Sequence, residues 1–465
     1  MQNREHSATL TTRRITNCLI AAVAIVVLPL SVVAQVPEVL TSPPNIVVPN
    51  YEGIPVGPFA GLEASAYVAR TNDPSAAWFN PAGLALAKGA QISGSAGLYQ
   101  YTKLSPALSP GAGSSIQHVP NLVGFTLQTG HKLTLGAAIL TPVDWSQNTN
   151  LEVIQPSGAN LERMAYSANS EFSRRVIALS AGYDSQKKWR FGGGLTFLYT
   201  SLEMRQTISD RIAEPTGLRT LLVSSVVTGS DLKLGSVFGV QVDPHPHIRI
   251  GGVFRTSGLS IHRSGTATLD GTDKNGAASS GASFFDPESE FKYKLPFEGT
   301  GAIAWVGNRG EIEAAVHSYT SISPYTMMAS DVNSVFYRDD GLGGPPTFTQ
   351  QPFGGITSAS KAIANVSVGG HYKLFSDKEM RLHFGVTTDM SPVAAEDQVF
   401  DEVDLMAYTV GLSGKVDKLT YAAGFNYRGG RSESIVIGNL IGRGPVTTNI
   451  GVRTMGMIYS VSYQF

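Results

Sequence analysis

The chain has 465 residues, a formal charge of −1 and only 15% charged residues, while 50 positions are Gly. That length suffices for one large barrel or for two to three soluble domains. The balanced charge excludes the basic excess of a nucleic-acid binder, and sparse charge with abundant Gly suits a sheet that shows one face to lipid.

Arg4, Arg13 and Arg14 precede an apolar run from Cys18 to Val33, and Val32-Val33-Ala34 fits a small-residue cleavage site. Residues 1–34 therefore read as a secretory signal peptide, the apolar run being short for a membrane-anchoring helix. Its removal takes three Arg, one Glu and the single Cys, which leaves a net charge of −3 and no thiol chemistry. Beyond residue 34 no apolar run approaches the length of a helical span. A membrane-embedded chain must then be a closed barrel, which satisfies its backbone groups strand to strand.

Residues 35–58 carry Pro37, Pro43, Pro44, Pro49, Pro55 and Pro58, which excludes a regular helix or central strand and predicts an extended arm. Residues 59–88 read as a compact, mostly helical segment. Leu62 to Arg70 suits a short helix, Asp73-Pro74 caps and starts Ser75 to Phe79, and Asn80-Pro81 does the same for Ala82 to Ala85.

From about residue 89 the period changes to two. Leu133, Leu135, Ala137 and Ile139 share a face, as do Trp189, Phe191, Leu195, Phe197 and Tyr199, and Leu419, Tyr421, Ala423, Phe425 and Tyr427. At the chain end, Met455, Met457, Tyr459, Val461, Tyr463 and Phe465 alternate with Thr454, Gly456, Ile458, Ser460, Ser462 and Gln464. Short connections (129–131, 184–188, 243–247, 307–310, 375–378 and 416–418) alternate with long ones (142–171, 205–230, 260–290, 321–360, 390–404 and 430–448). Short turns at one end and long loops at the other are the habit of an outer-membrane barrel, although a soluble sandwich or propeller shares the alternation. The expected fold is all-β, a transmembrane antiparallel barrel of about 14 strands over 89–465.

Asp73 to Ala85 reads DPSAAWFNPAGLA, directly before the first strand. Together with the leader, the strand count and the terminal Phe465, this resembles the outer-membrane long-chain fatty-acid and aromatic-hydrocarbon transporter family, the FadL/TodX type. LTLGAAILTPVDW at 133–145, IRIGGVFRTS at 248–257 and DMSPV at 389–393 look familial as well. The resemblance implies that 59–88 is a hatch plugging the lumen, with Phe79, Asn80, Pro81 and Ala82 at its gate. It implies passive uptake of hydrophobic small molecules, with exit past the hatch or sideways through a gap at a kinked strand, for which Gly136 is a candidate. Tyr463 and Phe465 would form the signal read by the barrel assembly machinery. The setting would be outer-membrane lipid and lipopolysaccharide, and the chain a monomer. The proline-rich arm departs from the family pattern.

The assigned register turns Leu140, Leu198, Leu202, Val237, Val253 and Ile458 inward, where they either line a path for apolar cargo or pack against the hatch. Arg190, Arg249, Arg255, Glu313, Arg381, His383 and Arg428 also face inward. Arg255 either binds a substrate carboxylate or sits in a lumen ion pair. No nucleophile elbow, metalloprotease motif or phosphate loop is present, so neither an enzyme nor a cofactor is expected. His245-Pro246-His247 lacks a third ligand in sequence, and no metal is expected there. The competing function is a non-transporting barrel, a secretion-system component or adhesion scaffold acting through its long loops; a general diffusion porin would need an open lumen.

Overall fold

The computed structural model describes residues 47–53, 56–106, 114–157, 160–186, 188–214, 217–376, 378–435 and 447–465. The expected signal peptide and the start of the arm lie outside them. Seven strands come first: β1 (Ala90–Pro106), β2 (Ser114–Gln128), β3 (Leu133–Ser157), β4 (Asn160–Asp184), β5 (Trp189–Glu214), β6 (Gly217–His245) and β7 (Ile248–Arg255). Then come β8 (Leu259–Asn275), β9 (Ala278–Asp286), β10 (Glu290–Phe291), β11 (Glu298–Val306) and β12 (Gly310–Tyr319). β13 (Ile322–Ala329), β14 (Asn333–Asp339), β15 (Thr347–Pro352) and β16 (Ile356–Ser360) follow. The last are β17 (Ile363–Lys373), β18 (Met380–Asp389), β19 (Leu405–Val416), β20 (Leu419–Ile435) and β21 (Thr447–Gln464).

Fourteen of these strands close a ring by antiparallel pairing: β1 to β7 in succession, then β11, β12 and β17 to β21, with β21 returning to β1. Closure pairs each ring strand with a neighbour on both sides, which is the condition for spanning lipid with strands. The terminal strand supplies the seam. Gln91 pairs with Gln464 and Ile92 with Tyr463, while Phe465 N donates to Ala90 O at 2.9 Å.

The expected parity holds along that strand. Met455, Met457, Tyr459, Val461, Tyr463 and Phe465 are exposed, and Thr454, Ile458 and Ser460 are buried. The same split on the other ring strands leaves Leu135, Ile139, Phe191, Phe238, Ile303, Trp305, Phe384 and Phe425 on an outer apolar face. An exposed apolar surface of this extent is stable against acyl chains and not against water. Among the described residues no helix is long and apolar enough to cross a membrane.

Two expectations need correction. The stretches 142–171 and 205–230 are largely strand rather than loop: β3 to β6 run 25 to 29 residues each and stay paired almost to their tips. A tilted strand crosses a bilayer in about 9–11 residues, so more than half of each stands outside it. The outward face there is polar (Arg205, Thr207, Ser209 and Arg211), while the opposite face is buried and mixes polar with apolar residues (Gln206, Ile208, Asp210 and Ile212); without an apolar outer stripe the pattern reads as loop. β8, β9, β14 and β15 continue this outer sheet from β6, and β10, β13 and β16 form a separate three-stranded sheet.

The second correction concerns Leu62 to Arg70, which form turns and bends rather than a helix. Ala64 and Ser65 have φ of 50° and 66°, so the chain reverses there. Pairing of Glu63 and Arg70 with the barrel wall overrides the local helix preference. Helix is confined to α1 (Ala76–Phe79), whose N-cap is Ser75 rather than Asp73, and a 3₁₀ turn at Pro81–Leu86, which Asn80 caps as expected, so the segment is mostly turn.

Candidate functional site

Residues 59–86 are almost wholly buried within the ring, and they reach it through a row of glycines. Gly182, Gly192 and Gly239 lie in register on β4, β5 and β6. A Cβ at Gly192 would sit 2.2 Å from Pro81 C and 2.3 Å from Ala82 N, and one at Gly239 would sit 2.1 Å from Asn80 Oδ1. At Gly182 a Cβ would meet Pro81 O at 2.7 Å. Bare backbone on three adjacent strands therefore makes a slot for the Asn80-Pro81-Ala82 turn. Asn80 fills its bonding capacity there: Nδ2 donates to Val68 O (2.9 Å) and to Val240 O on the wall (3.1 Å), and Oδ1 accepts from Ala82 N (3.1 Å). Ser180 Oγ donates to Ala77 O at 2.8 Å, and Thr409 Oγ1 to Leu62 O at 2.7 Å.

Asn80→Ala is expected to weaken docking of this turn by about 1–3 kcal/mol, the cost of leaving buried partners unsatisfied. Asn80→Asp sets a carboxylate against two carbonyls and should do more harm. Protease accessibility of residues 59–86 in the intact barrel measures both; equal protection in all three proteins would refute the assignment.

On the opposite side of the segment lies a buried charge cluster. Arg70 donates through Nε to Glu313 (3.0 Å), through Nη1 to Glu311 (3.4 Å), and through Nη2 to Glu63 and to Ala66 O (2.7 Å). Glu313 Oε1 also accepts from Val68 N (2.5 Å) and Ala69 N (3.1 Å). Burial would lower the Arg70 pKa, but the three carboxylates overcome it and hold the guanidinium above its usual value. Burial would likewise raise Glu63; Arg70 and the imidazoles of His371 and His383 hold it below the usual carboxylate range.

Between the segment and the wall is a cavity with about 850 Å³ of atom-free space, part of it open to solvent. Val56, Val68, Trp78, Phe79, Pro142, Leu198 and Leu295 supply apolar lining; Arg174, Arg255, Glu298 and Tyr319 supply polar groups. Arg255 is in an ion pair with Glu298, donates to Trp78 O (2.7 Å) and Phe79 O (3.3 Å), and stacks over the Trp78 ring at 4.3 Å. The lumen ion pair is thus the reading of Arg255 that the geometry contains. Arg174 differs. It is 8% exposed, Nε and Nη2 have no hydrogen-bond partner among the described residues, and its guanidinium lies over the Tyr293 ring at 5.9 Å. Arg174 is not legible as an inward residue from the stretch beside it, whose polar sequence resembles a loop. Parity with Val176, Ala178 and Ser180 was the signal that places it inward.

The other inward residues divide by neighbour. Val237 and Val253 cluster with Val68 and Ala69 of the segment, and Ile458 with Leu62. Leu140 is buried at Leu122↔Leu140, the last pair joining β2 to β3. Above it β3 has a register shift at Thr141-Pro142 and continues beside β4, while β2 continues beside β1. Pairing between β2 and β3 ends there, and Pro142 lines the cavity. Gly136 pairs regularly with Thr126 and Ser180 and packs under Leu84, so it is not a kink. Arg190 and Arg249 pair with Asp243, Arg381 with Glu379, and Arg428 with Asp389. His245 and His247 are exposed in their turn.

No protein-family model matches the chain, and no curated protein sequence does. Solved structures do match. A Pseudomonas aeruginosa FadL homologue superposes with a TM-score of 0.59 at 12% identity, covering 90% of this chain and 100% of that one. The P. putida toluene transporter TodX gives 0.58 at 14% identity, covering 90% and 99%. The Ralstonia pickettii toluene transporter TbuX gives 0.51 at 14% identity, with the same coverage. At this identity the superposition shows a shared fold alone, a FadL-type barrel over nearly the whole chain.

Proposed function

We propose that this barrel is an outer-membrane channel for passive uptake of hydrophobic small molecules, with residues 59–88 as its hatch and long-chain fatty acids as the cargo its cavity suits best. The observation that carries this is the cavity itself: a space of mixed apolar and polar lining closed on one side by Trp78 and Phe79 of the hatch, holding one buried guanidinium, Arg174, with no carboxylate partner among the described residues. Burying a cation without a counter-charge is costly, and an acyl carboxylate would relieve that cost while its tail follows Leu198 and Leu295. Arg255 serves here as the clamp on the hatch. The parting of β2 from β3 at Thr141-Pro142 supports sideways exit into the bilayer. No phosphate-binding loop is present to couple energy, so flow follows the concentration gradient. The FadL homologue and the toluene transporters that share this fold make fatty acids and aromatics the two cargo classes to compare.

Arg174→Met is expected to reduce uptake of radiolabelled oleate roughly tenfold, the worth of one charged hydrogen bond, while toluene uptake is unchanged. Loss of both would mean a damaged barrel, which heat-modifiability on gels detects. Unchanged oleate uptake would remove Arg174 from the path. The protruding sheet of β3 to β6 favours a second reading, a partner-binding scaffold. A stable protein partner together with normal uptake in a deletion strain would establish it instead.

A further inference from the structure

We propose that Glu63, His371 and His383 form a binding site for one divalent transition-metal ion, of the zinc class, that fastens the N-terminal segment to the barrel wall. The three ligand atoms come from three separate elements. Glu63 lies on the segment, His371 on β17 and His383 on β18, where the two histidines are direct cross-strand partners. Their Nδ1 atoms aim at the same oxygen: His371 Nδ1 lies 3.1 Å and His383 Nδ1 2.8 Å from Glu63 Oε1, and all three atoms fall within 4.8 Å of one another. Tetrahedral zinc with bonds of about 2.1 Å separates its ligands by roughly 3.4 Å, so each imidazole need part from Glu63 Oε1 by only a few tenths of an ångström, and the two imidazole nitrogens already lie within 4.8 Å of each other.

The surroundings fit as well. His383 Nε2 lies 2.8 Å from Ser413 Oγ, a hydroxyl that can accept a hydrogen bond from Nε2–H and so favour the tautomer with Nδ1 free to ligate. Phe59 stacks on the His383 ring at 5.4 Å and fixes its plane. Glu63 Oε2 is held by Arg70, which leaves Oε1 for the ion. Charge points the same way. Glu63, Glu311 and Glu313 surround the single guanidinium of Arg70, so carboxyl groups outnumber cations three to one and positive charge is short in a largely buried cluster. A divalent cation supplies it. Two imidazoles and one carboxylate select zinc, cobalt, nickel or copper over magnesium or calcium, and water would take the fourth position. His371, at the margin of the buried cluster, gives the ion its way in. The proposal is independent of which cargo the channel carries.

The test uses full-length, untagged barrel in detergent, stripped with a chelator and titrated with Zn²⁺ or Co²⁺. Expected are one ion per chain by elemental analysis, the visible spectrum of tetrahedral Co²⁺, and slower proteolysis of residues 59–86 in the loaded form. His371→Ala and His383→Ala should each weaken binding at least about tenfold. The double variant His245→Ala/His247→Ala should bind as the wild type does. Glu63→Gln disturbs Arg70 too, so the two histidine variants decide. Absence of stoichiometric binding at micromolar metal, or equal binding by the histidine variants, would overturn the site.

Discussion

Replacing Arg70 by Met is expected to release residues 59–86 from the wall while the barrel stays closed. Arg70 is fully buried and spans Glu63 and Glu313, both also fully buried, plus Glu311. Removing one partner from a buried ion cluster leaves the others desolvated and unpaired, at a cost of roughly 3–5 kcal/mol. That shifts the docked-to-released ratio by about two to three and a half orders of magnitude, since each 1.4 kcal/mol is tenfold. Ring pairing involves none of these side chains, so heat-modifiability on gels should persist. Protease cleavage within 59–86 should appear, and single-channel conductance should rise. Arg70→Lys should not rescue, because an ammonium lacks the planar fork that serves several carboxylates at once. Adding Glu63→Gln and Glu313→Gln to Arg70→Met should restore part of the protection, because the stranded charges are then gone. Unchanged protection in Arg70→Met would show that the cluster does not hold the segment.

The second large effect is expected at Gly192. Even Gly192→Ala drives a methyl to 2.2 Å from the Pro81 carbonyl carbon, and backbone cannot yield as a flexible side chain can. Overpacking of this kind costs about 1–3 kcal/mol for small insertions, and Gly192→Leu should expel the Asn80-Pro81-Ala82 turn altogether. Gly193 is the internal control. It is the next residue on the same strand, its Cβ would point outward, and the nearest atom is Phe238 at an ordinary 3.6 Å. Gly193→Ala should therefore leave conductance and protease protection at wild-type values while Gly192→Ala raises both conductance and cleavage. Identical behaviour of the two variants would refute the slot.

Much of this architecture was legible because it is local. Alternation of Met455 to Phe465 assigns the two faces of the last strand without knowledge of its partners, and Asn80-Pro81 announces a capped turn through the chemistry of two adjacent residues. The misreadings also have local causes. Strands whose outward face is polar and whose buried face mixes polar with apolar residues look like loops, which hides the outer halves of β3 to β6 and with them Arg174. Alanine-rich Leu62 to Arg70 looks helical until the wall claims Glu63 and Arg70.

The sequence by itself determined a closed barrel of about 14 strands, its inner and outer faces and a capped turn before the first strand. Each follows from periods of a few residues. Only the tertiary structure decided what the inner face is for. Gly182, Gly192 and Gly239 become a slot only when three strands are set in register, and Glu63 meets His371 and His383 across separations of 308 and 320 residues. Side-chain parity states that these groups point inward. Barrel closure fixes which of them share one height and one side of the lumen, and only there do burial and charge combine into a site.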